Sequence, residues 1–305
     1  MSIHGFPGTC IAPNASKCWS RSWPATESTR RVGSLIAMSR KPGTIFGKPS
    51  MPSSNAISPA VKFYRLAVVV GTVAIIVTLL AYGLWPRQIT AQILPDQSIA
   101  VDESVRRYRL VIPHSLSADK VPIVFAFHGI GDSPEGMAEY SALDQVAVEN
   151  GFLLVYPAAR RAMWTTVNVD AQNLDDNPDI RFFDRLLEHL AGRYQIDPNR
   201  VYMVGMSNGA TFAQLVAFAR PDIAAVAAHS GPVPRELLPA ARQFPIIILV
   251  GTNDTAENAM QSDAAEYRDK EHSVEFVAIS GLGHEWSIRH NAAIWKFLSG
   301  HRLGE

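Results

Sequence analysis

A chain of 305 residues with 47 % hydrophobic and 18 % charged residues has ample apolar content for a packed core, which excludes a wholly disordered protein. Its formal charge of zero conceals an uneven distribution: residues 1–65 hold nine lysines and arginines against Glu27 alone, for +8, and the remainder carries −8. An acidic body offers no electrostatic footing for nucleic acid, so DNA or RNA is not expected as a partner of that body.

The first fifty residues are rich in Ser, Pro, Gly and Arg without helical or strand period, and residues 1–65 read as a basic, disordered cytoplasmic segment. Met38 and Met51 are alternative starts that would leave only a short basic leader. Leu66 to Trp85, LAVVVGTVAIIVTLLAYGLW, then runs without a charge between Lys62 and Arg65 before it and Arg87 after it. Such a run reaches about 30 Å as a helix, the thickness of a hydrocarbon core, and predicts a membrane-spanning helix over 66–85 with the lipid bilayer as its partner. The excess of Lys and Arg on its N-terminal side predicts a cytoplasmic N-terminus and export of everything after Arg87, to the periplasm in a Gram-negative cell. A cleaved signal peptide, releasing a secreted protein, is the competing reading, but its apolar region would be about 7–15 residues and end in a small-x-small site. Both cysteines, Cys10 and Cys18, precede the run, so the exported part must be held by its core alone.

Gln88–Glu103 reads as a polar tether, and residues 104–303 as one α/β domain. Apolar runs of strand length begin at Arg106–Ile112 and recur at Pro122–Phe127, Phe152–Pro157, Arg200–Met206, Ala224–Ser230, Pro245–Gly251 and Val274–Ser280. Near-continuous apolar strands separated by helices predict a mostly parallel sheet covered on both faces. The helices are expected at Pro134–Val148, N-capped by Asp132 or Ser133, then Pro178–Tyr194, Asn208–Ala219 and Asn291–Leu298.

VYMVGMSNGATF, Val201 to Phe212, places Ser207 between Gly205 and Gly209, after a strand and before a helix. Gly-x-Ser-x-Gly alone is weak, but this context makes it a nucleophile elbow: a strained turn that presents the hydroxyl, with flanking glycines because a side chain there would strike the neighbouring backbone. The Asn208 N–H then opens a helix, where it can stabilise an oxyanion. A serine nucleophile needs a base and an orienting carboxylate. Asp254 lies three residues past the PIIILVG strand and His284 in the glycine-rich loop SGLGHEW, both at the carboxyl edge where sites in open α/β sheets form. His290 rivals His284 as base, while Asp263 and Glu257 are more distant rivals of Asp254; His229, ending a strand, also reads as a satisfied core residue. FHGIGDS, Phe127 to Ser133, should bring the second oxyanion donor over the site, from Ile130 or Gly131.

From Arg106 to Leu298 the chain resembles the esterase family of polyhydroxybutyrate depolymerases and feruloyl esterases, within the α/β-hydrolase superfamily. The stretches that carry this are FHGIGDS, VYPAARRAMW, DPNRVYMVGMSNGATFA, PDIAAVAAHSG, PIIILVGTNDT and GLGHEW. The resemblance implies Ser207, Asp254 and His284 as nucleophile, acid and base of an acyl-serine mechanism without metal or organic cofactor. Members often carry disulfides near the site and a Val-Pro pair after the acid; this domain has no cysteine and reads TAENAM there.

His229 to Pro245 is too short to insert a lid domain. The longest connection, Ala158 to Pro178, exceeds usual loop length. Its Trp164 and Asn168 are candidates to line an acyl or aryl pocket, with Arg160 and Arg161 to meet an anion. Its acids lack calcium-loop spacing, so no metal is assigned. Trp286 and His128 complete the candidate substrate-binding residues. The sequence thus points to a membrane-anchored serine esterase acting on a small or oligomeric ester, of the polyhydroxyalkanoate or feruloyl/aryl type. A peptidase or thioesterase on the same fold, or a non-catalytic tethered binding module, are the alternatives.

Overall fold

The computed structural model describes residues 58–84, 90–116, 119–169, 172–234, 237 and 242–304. The basic leader with Cys10, Cys18, Met38 and Met51, the flanking Trp85 and Arg87, and part of the segment that follows His229 lie outside the described residues. The chain divides into two units, Met1–Thr78 and Leu79–Glu305.

Helix α1 (Pro59–Leu84), which lies in the first unit as far as Thr78, starts at a proline, which suits a first turn whose N–H groups have no helical partner. It begins seven residues before the expected 66, so Lys62 and Arg65 lie inside it. Among the described residues it is the one helix long and apolar enough to cross a membrane, over Pro59–Thr78. Val69, Val70 and Ile75 are exposed on it, while the Thr72 and Thr78 hydroxyls donate to the carbonyls of Val68 and Ala74 one turn back. A polar side chain on an apolar helix thereby needs no outside partner.

The second unit is built on eight strands: β1 (Ala91–Val101), β2 (Ser104–Pro113), β3 (Val121–Phe127), β4 (Leu153–Pro157), β5 (Ile196–Met206), β6 (Ala225–His229), β7 (Ile246–Gly251) and β8 (Val274–Ile279). Their spatial order is β1-β2-β4-β3-β5-β6-β7-β8. β1 and β2 pair antiparallel, β2 joins β4 antiparallel, and from β4 onward all neighbours are parallel. This is the expected α/β architecture with one correction. Residues 91–101, read as part of a tether, form the edge strand β1, which returns through the turn at Asp102 and Glu103 to pair with β2 from Val101↔Ser104 to Ala91↔Pro113.

Every residue of β3, β4, β6 and β7 is buried, as a sheet covered on both faces requires. Alternate residues feed two cores. Ile123, Phe125 and Phe127 pack with helices α4 (Pro178–Ala191), α5 (Asn208–Ala219) and α6 (Glu257–Asp269). Val124 and Ala126 pack on the other face with α2 (Pro134–Ser141), α3 (Leu143–Asn150) and α7 (Asn291–Ser299). Ser133 is the N-cap of α2, accepting from the Gly136 N–H. The single helix expected over 134–148 is two, because Ala142 takes a left-handed conformation at φ 53° between them. The register brings the carboxyl ends into line, pairing Phe127 with Gly205, Met206 with His229 and Gly251 with Ile279. Every loop that leaves these ends opens on one edge.

Candidate active site

Ser207 sits on the one-residue corner between β5 and α5 at φ 56° and ψ −125°, a conformation an L-residue rarely adopts. A Cβ at Gly205 would lie 2.2 Å from the Gly209 carbonyl oxygen, and one at Gly209 would lie 2.1 Å from that of Phe127. Only glycine lets β5, α5 and β3 approach this closely, which is the expected basis of the elbow. The corner is held by the Ser207 N–H donating to the His229 carbonyl at 2.8 Å.

Asp254 leaves β7 three residues past its end and His284 lies in the loop after β8. His284 Nε2 is 2.9 Å from Ser207 Oγ, and His284 Nδ1 is 2.9 Å from Asp254 Oδ2. The carboxylate accepts from Nδ1, so that nitrogen carries the proton and Nε2 is left to accept from the serine. Burial alone would raise the Asp254 pKa, but the Ala256 N–H and His284 bond the carboxylate and, with the polar Ser230 side chain near it, hold it below its ordinary value. The Asp254 side chain is fully buried and that of His284 is half exposed, an anion in the wall and a base at the surface.

The rivals stand elsewhere. His290 Nδ1 is bonded to the Ser287 hydroxyl at 2.8 Å. Asp263, buried on α6, accepts from the Val233 N–H, and Glu257 opens α6. TAENAM, which departs from the family's pattern, begins that helix, and its Ala256 N–H donates to Asp254 Oδ1 at 2.9 Å.

A cleft of about 600 Å³ opens over the serine, lined by Gly129, Ile130, Asp132, Tyr140, Met206, Ser207, His284, Glu285 and Trp286. Asn208 opens α5 directly after Ser207, in the first turn, where helix N–H groups have no internal partner. Of the two residues expected to offer the second donor, Gly131 gives its N–H to the Ala162 carbonyl at 2.8 Å, and Ile130 lines the cleft. Trp286 lines the cleft as expected, with its Nε1 donating to Asn291 Oδ1. A hollow of about 630 Å³ between β1 and α4, lined by Ser98, Arg185 and Arg193, holds none of these groups.

Two expected substrate contacts are corrected. Trp164 is 1 % exposed, stacked on Phe212 at 4.7 Å, with its Nε1 donating to the His128 carbonyl. His128 is likewise buried: its Nδ1 donates to the Gly129 carbonyl and its Nε2 accepts from the Ala159 N–H, so it braces the start of the loop that carries Ile130 and Gly131. Burial lowers its pKa, which fits a neutral ring with one nitrogen donating and one accepting. Asn168, Arg160 and Arg161 do not line the cleft; Arg160 borders an adjoining hollow of about 450 Å³. Met206, Tyr140, Asp132 and Glu285 were not singled out in the sequence, although Met206 and Glu285 adjoin the elbow serine and the histidine in the chain.

Ser207, His284 and Asp254 thus lie in one hydrogen-bonded chain beneath an open cleft, beside the N-terminus of α5. This arrangement can carry acyl transfer. Residues 106–248 match the family described as esterase PHB depolymerase. A bifunctional acetylxylan esterase/xylanase of Neocallimastix patriciarum is 28 % identical over 170 residues, covering 55 % of this chain and 24 % of that protein. A feruloyl esterase B of Talaromyces stipitatus is 29 % identical over 164 residues, covering 52 % of this chain and 45 % of that protein. The chain spans between 24 % and 54 % of the length of the curated relatives it matches. Among solved structures, a feruloyl esterase module from Clostridium thermocellum superposes with a TM-score of 0.56 over 70 % of this chain and 88 % of its own, at 14 % identity, a likeness of fold.

Proposed function

We propose that this chain, an α/β-hydrolase similar over residues 106–248 to the polyhydroxybutyrate depolymerase and feruloyl esterase family, is a serine-dependent carboxylic ester hydrolase. The observation that carries the reading is the Ser207–His284–Asp254 chain, 2.9 Å at each link, on a strained elbow at the head of α5. Ser207 Oγ attacks the ester carbonyl as His284 Nε2 takes its proton; the N–H groups of Asn208 and Ile130 receive the oxyanion. His284 passes the proton to the departing alcohol, and a water activated by the same nitrogen releases the acid. Asp254 keeps the imidazole in the tautomer this needs and balances the imidazolium charge.

The relatives' names support aryl esters of the feruloyl kind or hydroxyalkanoate oligoesters as substrates. The cleft sets apolar Ile130, Met206 and Trp286 beside the acids Asp132 and Glu285, a lining that fits an uncharged acyl group and disfavours an anionic one. We place α1 in the bilayer as a signal anchor, with the basic leader in the cytoplasm and the catalytic unit outside it, on the charge asymmetry of the sequence. Recovery of the protein in the soluble fraction after lysis without detergent would overturn the anchor.

Ser207→Ala should abolish labelling by a fluorophosphonate probe and lower kcat/KM on p-nitrophenyl esters by about 10⁴-fold or more. Persistent labelling in that variant would refute the assignment. Acyl length varied across the same esters, alongside methyl ferulate and hydroxybutyrate oligomers, then defines the acyl group.

A further inference from the structure

The cleft over Ser207 does not end at the loop that carries Ile130. Asp132 lines both that cleft and the adjoining hollow of about 450 Å³, so the two spaces meet along one wall. The hollow is bounded by apolar Val105, Pro134 and Ala162 and by exposed Arg107 and Arg160. Farther on, a third space of about 480 Å³ shares Ser104, Arg106 and Arg160 with it.

The turn that carries Arg160 is fastened to the loop beside the serine on both sides of that residue. The Ala159 N–H donates to His128 Nε2 at 3.1 Å, and the Ala162 carbonyl accepts from the Gly131 N–H at 2.8 Å. Between these bonds Arg161 and Ala162 hold φ 53° and 54°, two successive left-handed conformations that residues with a side chain rarely adopt. The backbone at Arg160 therefore keeps a fixed place relative to the cleft, as a preorganised subsite requires.

Charge is segregated along this path. The cleft holds the acids Asp132 and Glu285, and the third space holds Glu103 with Asp102, which is paired with Arg181 at 3.0 Å. Cations stand in the hollow between. Arg106 is already engaged there, donating to Asp179 Oδ1 at 2.7 Å and to the Ala158 carbonyl at 3.1 Å. Arg107 has an ion pair to Asp96 at 3.1 Å with both partners more than half exposed, a contact of little strength. The Arg160 side chain makes no hydrogen bond or ion pair among the described residues. A guanidinium fork so placed matches a carboxylate, which accepts two parallel N–H bonds from it.

We propose that the hollow is an anion subsite, in which Arg160, aided by Arg107, binds a carboxylate at the far end of an ester whose reacting carbonyl lies over Ser207. The proposal rests on the esterase reading above and narrows its substrate, which is neutral at the acidic cleft, apolar along Val105 and Ala162, and anionic at its end. Two kinds of ester have that form. A hemiester of a dicarboxylic acid carries the carboxylate on its acyl part, and the free-acid end of a hydroxyacid oligoester carries it on the alcohol part.

Two matched pairs of substrates test this with the full chain: monomethyl adipate against methyl hexanoate for the acyl part, and 4-acetoxybutanoate against butyl acetate for the alcohol part. In Arg160→Gln the ratio of kcat/KM, carboxylate ester over neutral ester, should fall about tenfold in at least one pair, chiefly through KM, with Tm unchanged. The pair in which it falls tells which end of the ester the hollow receives. Arg160→Glu should lower the ratio further, Arg160→Lys should restore part of it, and raised salt should weaken it in the wild type, since exposed charges are screened over about 10 Å at 0.1 M. A ratio that Arg160→Gln and Arg160→Glu leave unaltered in both pairs would overturn the subsite, as would an equal loss on carboxylate and neutral esters that tracks a fall in Tm. Hydrolysis of p-nitrophenyl acetate by the wild type, and fluorophosphonate labelling that Ser207→Ala removes, are read in parallel. They fail if the esterase reading fails and hold if the subsite alone does.

Discussion

Trp164, in the twenty-residue connection between β4 and α4, and Trp286, two residues past His284 in the short loop after β8, stand at the same edge of the sheet. Both are aromatic residues in loops beside the site, and the sequence offers the same reading for each. In the structure Trp164 is sealed under the elbow. Its ring lies on Phe212 and against Phe127, its backbone N–H donates to Asn208 Oδ1, and its indole N–H donates to the His128 carbonyl. Trp286 puts one face on His229 and still lines the cleft. The difference lies in how each loop is tied down. The long connection is anchored at Asp179, which accepts from Arg106 at 2.7 Å and from the Thr165 N–H at 2.9 Å; Asn177 adds a bond to the Thr165 carbonyl. A long loop so fastened behaves as core, and its tryptophan braces the chain at His128 from beneath.

The comparison breaks most visibly at Trp164→Ala. Removing a buried, stacked indole should cost about 3–5 kcal/mol and leave the His128 carbonyl without its donor. Chemical denaturation should show that loss, with residual activity reduced in kcat. A variant of wild-type stability whose only change is KM would mean that Trp164 is a pocket wall after all.

A second test uses the ring on which Trp286 rests. Burial, first of all, pushes the His229 pKa from its ordinary 6.5 to about 4, with His290 and His284 adding to the fall and Asp254 opposing it. An unfolded chain therefore binds more protons than the folded one between those values. The contribution to stability is complete above about pH 6.5 and is lost as the pH falls toward 4, to the extent of about 3 kcal/mol. In His229→Phe this part of the acid sensitivity should vanish. Denaturation of both proteins at pH 7 and pH 4.5 measures it, since the other buried histidines titrate in both and cancel. Equal acid slopes in the two proteins would show that His229 is not held neutral beneath Trp286.

Much of this was legible in the sequence because the features that specify it are local. The apolar runs of β3, β4, β6 and β7 need no partner to be recognised, and Gly205, Ser207 and Gly209 declare a corner that only glycine can flank. Asp254 and His284 follow from their distance past strand ends. What escaped notice depends on pairing across the chain. β1 alternates exposed polar residues with few buried ones, contains Pro95 beside a register shift between Leu94 and Gln97, and is a strand only because β2 lies beside it. α6 shows only Met260, Ala264 and Tyr267 as an apolar stripe, too thin to stand out from TAENAM onward.

The smallest expected effect is the most discriminating. Trp286→Phe keeps an aromatic face on His229 and removes the indole N–H that donates to Asn291 Oδ1 at 2.9 Å, at a cost of about 1 kcal/mol. Asn291 also donates to the Ser141 carbonyl at 2.7 Å, so the seam between α2 and α7 should loosen slightly without unfolding. His284 is held by Asp254 and touches neither group, so kcat should stay within about twofold. KM for bulky or aryl acyl groups should change several-fold, since the cleft wall loses the second ring of the indole. Steady-state kinetics on acetate and ferulate esters separate the two parameters. A fall in kcat with KM unaltered on both esters would place Trp286 with Trp164, as support for the catalytic residues, and would erase the contrast between the two loops.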